Sequence, residues 1–106
     1  MNLWIDDVRE PPPGYDAVAR TYDDAYRLLQ RYQYETVSFD HDLGDAGTST
    51  GYDLLCAIEA GELRCPDRIL IHSMNPVGHR IMRLVAERLM ERRAEIEERR
   101  RERDAS

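Results

Sequence analysis

The chain contains no lysine: all 15 basic residues among its 106 are arginine. Any chemistry that needs a lysine ammonium is therefore excluded. Only two cysteines occur, Cys56 and Cys65, and they resemble neither a metal pair nor a redox motif. Cys56 falls among Leu54, Leu55 and Ile58 on an apolar helix face, which predicts a buried structural thiol rather than a disulfide. No apolar run approaches the roughly 20 residues that cross a bilayer, so no membrane association is expected. Met1-Asn2-Leu3-Trp4-Ile5-Asp6 also lacks the basic start, apolar middle and cleavage pattern of a secretory signal. The expected location is the cytoplasm. There is no internal repeat and no linker between domains.

What is abundant is acid, unevenly spread. Residues 1–75 carry 6 Arg against 14 Asp plus Glu, a net of −8, whereas residues 76–106 carry 9 Arg against 7 acids, a net of +2. An acidic body argues against duplex DNA as a partner, because non-specific binding depends on phosphate neutralisation by basic groups. It suits divalent cations, which take carboxylate oxygens. The length and a 42% hydrophobic content fit a single small core. The expected division is a folded domain over 1–91 and a charged helical extension over 92–106.

Short apolar runs bounded by polar residues predict buried parallel strands at Asn2–Ile5, Ala17–Arg20, Thr36–Phe39 and Arg68–His72. A stiff proline turn, Arg9 to Gly14, separates the first two. Thr21 with Asp24, Thr50 with Asp53, and Asn75-Pro76 each start a helix. The first helix should bury Ala25, Leu28, Leu29 and Tyr32, and the second Leu54, Leu55 and Ile58. The last shows an apolar stripe at Val77, Ile81, Leu84, Val85 and Leu89. Beyond Met90 charge takes over, with Glu95–Arg99 and Glu97–Arg101 as expected i,i+4 pairs on a solvated helix. Asp42–Thr50, with Gly44 and Gly47, reads as a loop.

Three polar clusters follow apolar runs: Asp6-Asp7, Asp40-His41-Asp42 and His72-Ser73-Met74-Asn75. In an open α/β sheet ligands sit beyond the carboxyl ends of the strands, so these clusters should converge. The expected site is one for phosphate and metal. Asp6, Asp7, Asp40 and Asp42 are the candidate ligands for Mg²⁺ or Mn²⁺. Asp40 could ligate the metal or attack phosphorus, and Asp42 could instead close an Asx turn. His72 is the candidate general acid or base; His41 is either a second catalytic group or packs beneath the loop. Ser73, Asn75, Arg80 and Arg9 are candidate phosphate binders, with Asn75 also the N-cap of a helix whose N-terminus favours anions.

Leu3-Trp4-Ile5-Asp6-Asp7-Val8-Arg9-Glu10-Pro11-Pro12, Ser38-Phe39-Asp40-His41-Asp42-Leu43-Gly44 with Thr50-Gly51-Tyr52-Asp53, and Ile71-His72-Ser73-Met74-Asn75-Pro76-Val77-Gly78 together resemble the cyclic-phosphate-processing receiver-like domains. The resemblance covers roughly residues 2–90. It implies a three-layer, receiver-like (flavodoxin-like) α/β fold, which the strands and helices predicted above fill with a small, mostly parallel sheet of about four strands and a long C-terminal helix, departing from the receiver pattern in lacking the fifth strand. It also implies a role in handling cyclic phosphates in nucleotides or at RNA ends. Against an ordinary receiver, Asp6 and Asp7 match the acidic metal pair, Asp40 the phospho-accepting aspartate and Ser73 the hydroxyl residue after the fourth strand. The receiver lysine has no counterpart, and the proline turn replaces the helix between the first two strands.

The leading expectation is metal-dependent opening of a cyclic phosphodiester, such as a nucleoside or RNA-end 2′,3′-cyclic phosphate. The alternatives are a receiver that accepts phosphate on Asp40, and a non-catalytic module that binds a nucleotide or a protein. The long last helix offers a route to a homodimer.

Overall fold

Each strand is short because the residues that follow it turn the chain. In the computed structural model, which describes residues 1–43 and 49–105, β1 spans Asn2–Ile5, β2 Ala17–Ala19, β3 Thr36–Phe39 and β4 Arg68–Ile71. They form one wholly parallel sheet in the order β2-β1-β3-β4. The helices are α1 (Tyr22–Arg31), α2 (Gly51–Glu59), α3 (Pro76–Glu91) and α4 (Arg93–Ala105). This is the receiver-like α/β architecture with four strands and a long C-terminal helical segment. The part of the predicted loop at residues 44–48, including Gly44 and Gly47, lies outside the described residues.

The helix starts are set by local hydrogen bonds. The Thr21 hydroxyl accepts from Asp24 N–H at 3.1 Å, Asp53 Oδ2 accepts from Thr50 N–H at 2.8 Å, and Asn75 Oδ1 accepts from Gly78 N–H at 3.0 Å. Gly61, at φ +83°, closes α2: its N–H and that of Glu62 return to the carbonyls of Ile58 and Ala57. Pro76 occupies the first position of α3, where its missing N–H has no intrahelical partner to lose.

One face of the sheet, carrying Leu3, Ile5, Val37, Phe39 and Ile69, shares a single core with Leu29, Leu54, Leu55, Ile58, Met82, Val85 and Leu89 of the helices. The other face carries Trp4, and the connection between β1 and β2 covers it. Tyr15 meets the indole edge-on at 5.2 Å, and Trp4 Nε1 donates to the Arg9 carbonyl at 3.0 Å.

Four sequence expectations are corrected. Cys56 is only part-buried, and Cys65 is the buried thiol instead. Tyr32 does not join the buried face of α1, because it is the C-cap and 44% exposed. Val77, Ile81 and Leu84 do not pack inward, because the core register of α3 is Gly78, Met82, Val85, Ala86 and Leu89. The charged tail is not merely a solvated continuation. The helix breaks at Arg92, whose N–H is shared between the Arg88 and Leu89 carbonyls, and α4 then buries Ile96 completely. Glu97 pairs with Arg100 rather than Arg101, and Arg99 donates to the Glu59 carbonyl at 2.7 Å.

Candidate functional site

Asp6, Asp40 and His72 each stand one residue beyond a registered row of strand residues, Ile5, Phe39 and Ile71. The sheet holds all three by its own ladder, extended one step: Asp6 N–H donates to Ala19 O at 3.1 Å, Asp40 N–H to Ile5 O at 3.0 Å, and His72 N–H to Phe39 O at 3.0 Å. The consequence is convergence. One ligand atom from each of the three side chains lies within 4.8 Å of the other two. Asp6 is fully buried and Asp40 is 8% exposed, so this is not a solvated acidic patch.

Local hydrogen bonds aim Asp6 and His72. Asp6 Oδ1 accepts from the N–H groups of Val8 and Arg9, both at 2.9 Å, which is how the chain turns out of β1. Asp6 Oδ2 faces His72 Nε2 at 3.0 Å, and His72 Nδ1 faces the Ser38 hydroxyl at 2.7 Å. The indole of Trp4 stacks on the imidazole, centroids 3.8 Å apart and planes 6° from parallel. Ser38 and Trp4 stand two residues before Asp40 and Asp6, on the same side of their strands.

These surroundings divide the protonation states. Burial pushes the Asp6 carboxyl upward, but the Arg9 and Val8 N–H groups, together with His72, outweigh it and hold Asp6 below the usual carboxylate range. Burial raises the Asp40 carboxyl, and the neighbouring Asp6 charge raises it further. Burial also lowers His72, only partly offset by its hydrogen bond to Asp6. A neutral imidazole beside one ionised and one reluctant carboxyl is the result.

The remaining candidates are placed differently. Asp7 is half-buried in the turn and Asp42 is exposed; neither belongs to the three-residue cluster. His41 hydrogen-bonds Asp42 at 2.9 Å and packs its ring on the first turn of α3. A Cβ on Gly78 would lie 2.7 Å from that ring, so the glycine makes the approach possible. Gly51 does the same for α2: a Cβ there would sit 2.0 Å from the Asp40 carbonyl oxygen. Ser73 Oγ accepts from Asn75 N–H at 3.1 Å, and Asn75 serves as the cap. Arg9 Nη1 reaches the His72 carbonyl at 3.4 Å, which puts its guanidinium at the rim. Arg80 instead lines a separate cavity of about 540 Å³ with Ser73, Met74, Pro76 and Leu84. A larger groove, about 760 Å³, runs beside β4 and touches the cluster only through His72.

Sequence reasoning missed Ser38, Trp4, Gly51 and Gly78. The available signal was the i, i+2 spacing of Ser38 to Asp40 and of Trp4 to Asp6.

The fold and this rim define a receiver-like domain whose strand ends carry two aspartates and a histidine. The family model of the cyclic-phosphate processing receiver domain matches residues 1–88, and the chain belongs to that family. No curated protein and no solved structure matches the chain at a significant level. No helix among the described residues is long and apolar enough to cross a membrane.

Proposed function

We propose that this domain hydrolyses a cyclic phosphodiester, with nucleoside or RNA-end 2′,3′-cyclic phosphates as the substrate class, at the Asp6–Asp40–His72 cluster. Family membership supports the substrate chemistry. The observation that carries the site is the convergence of three ligand atoms, two on buried aspartates and one on the part-buried His72, within 4.8 Å from three separate strand ends.

Two carboxylates and one imidazole fit a divalent ion, for which Mg²⁺ and Mn²⁺ are the candidates. Such an ion, when bound, supplies Lewis-acid polarisation of the phosphoryl oxygens and an activated water. Asp6 is preset for this task because two backbone N–H groups fix its carboxylate in the ionised form. With Asp6 ionised and able only to accept, a neutral His72 donates Nε2–H to Asp6 Oδ2 and accepts the Ser38 hydroxyl at Nδ1; to hold a metal through Nε2 it would take the other tautomer, with Nδ1–H donated to the Ser38 oxygen. His72 then serves as a neutral ligand, and proton transfer by it would require the release of one of its two present partners. Arg9 is the cation at the rim placed to orient a phosphate.

The test is chromatographic turnover of 2′,3′-cyclic AMP and of cyclic-phosphate-ended RNA with Mn²⁺, against EDTA and Asp40→Asn controls. Product from the metal-loaded wild type alone is expected. Stable phosphate labelling of Asp40 by a small phosphodonor, without turnover, would support the signalling alternative instead. Ligand binding that is indifferent to chelator and yields no product would support a non-catalytic module.

A further inference from the structure

The outward face of α3 carries apolar residues although nothing among the described residues covers them. Met74, Val77, Ile81 and Leu84 are 75, 68, 45 and 61% exposed. The three that lie in the helix, Val77, Ile81 and Leu84, follow one another at intervals of four and three residues, the a/d spacing of a coiled-coil seam, and Met74 stands just ahead of the Asn75 cap. Single exposed apolar side chains are ordinary, but a continuous stripe opposite a face already committed to the core is not. We infer that this stripe is a self-association seam, on which α3 packs antiparallel against α3 of a second copy of this chain. The inference stands apart from the chemistry of the aspartate cluster.

The flanking charges select that occupant. With Ile81 facing Leu84 of the second copy, Arg80 and Glu87 both fall on the same flank of the seam. In an antiparallel pair that flank meets its own kind, so Arg80 meets Glu87 of the second copy, and symmetry makes the contact twice. Arg80 has no ion-pair or hydrogen-bond partner among the described residues, and Glu87 reaches only Arg83 at 3.8 Å, both ends exposed. The other flank carries Gly78 and Val85, which the domain's own core covers. A parallel pair would set Arg80 against that covered flank and leave it unmatched. The seam is therefore self-complementary in one orientation.

Sedimentation equilibrium of the full chain tests this between about 10 µM and 1 mM, the range in which a small seam associates. The expected mass rises from 12.4 kDa toward that of a dimer. Leu84→Glu should hold the chain monomeric with unchanged circular dichroism, since Leu84 supports nothing in the core. Arg80→Glu or Glu87→Arg alone should weaken the dimer about three- to tenfold, and the two together should restore it. A monomer at every concentration, a dimer indifferent to Leu84→Glu, or a double swap no tighter than the single ones overturns the inference.

Discussion

At the carboxyl ends of the strands, Asp6 and Asp40 are buried side by side, and the charge of Asp6 raises the Asp40 carboxyl. At the amino end of β4 the charges are just as close, but each has an answer. Glu97 accepts from Cys65 N–H at 2.8 Å and from both Nε and Nη2 of Arg100 at 3.1 and 3.0 Å, with both side chains more than four-fifths buried. Arg93 bridges the Pro66 and Cys65 carbonyls and Asp67. In the first arrangement Asp6 is answered by two backbone N–H groups and His72, but an ionised Asp40 is opposed by burial and by the Asp6 charge. The second fastens α4 to the domain. Proximity of charge thus says little until one asks what completes it.

The sharpest way to break this comparison is Asp40→Asn, which should affect function and stability in opposite directions. Turnover of the cyclic phosphate should fall on the order of 10³-fold, as when a positioned electrostatic group is lost. In metal-free buffer the thermal midpoint should instead rise by a few degrees, because the amide removes a buried charge that Asp6 repels. A midpoint that falls would mean that the two ends of the sheet treat charge alike. Gly51→Ala probes the frame rather than the charge. Its Cβ would sit 2.0 Å from the Asp40 carbonyl oxygen, against backbone that cannot rotate away. A loss of about 3 kcal/mol in urea unfolding is expected, at the upper end of ordinary overpacking.

How much of this was legible beforehand follows from range. The helix starts at Thr21, Thr50 and Asn75 depend on hydrogen bonds spanning three residues, so adjacent letters reveal them. Convergence of Asp6, Asp40 and His72 follows from strand ends in parallel register, and topology alone predicts it. Which neighbours join them does not. His41 and Asp42 turn away because Gly78 admits the imidazole against α3, a contact between residues 37 positions apart in the numbering. Ser38 and Trp4 join because alternation along β1 and β3 brings them to His72. In α3 the apolar residues exceed what one face can hold, so periodicity alone could not tell Ile81 from Met82. The break at Arg92 was equally hidden, since charge composition does not distinguish a solvated helix from one held by Ile96 and Glu97.

The satisfied end offers smaller and more graded effects. Glu97→Ala should cost about 2–3 kcal/mol, because it leaves Cys65 N–H and the buried Arg100 without their acceptor. Glu97→Gln retains an acceptor for Cys65 N–H and should cost less, which separates the backbone contact from the ion pair in the same denaturation experiment.

The smallest effect at neutral pH lies beside it, at the Cys65 thiol. Burial is the main cause that pushes this group up to about 11. Because the native value lies above that of the unfolded thiol, its contribution to stability is complete below the unfolded value. It is lost as pH rises through the window that ends near the native one. Tyr22, Tyr26 and Tyr34 are shifted in the same direction, chiefly by burial, so the alkaline slope of the wild type is shared among them. Cys65→Ala isolates the thiol. Urea midpoints taken at about pH 8 and about pH 10.5 should fall further in the wild type than in the variant, whatever constant cavity penalty the alanine adds. Equal falls would mean that the thiol ionises as freely in the folded chain as in the unfolded one. The amino end of β4 would then be open to water, and its contrast with the buried aspartates would rest on pairing alone.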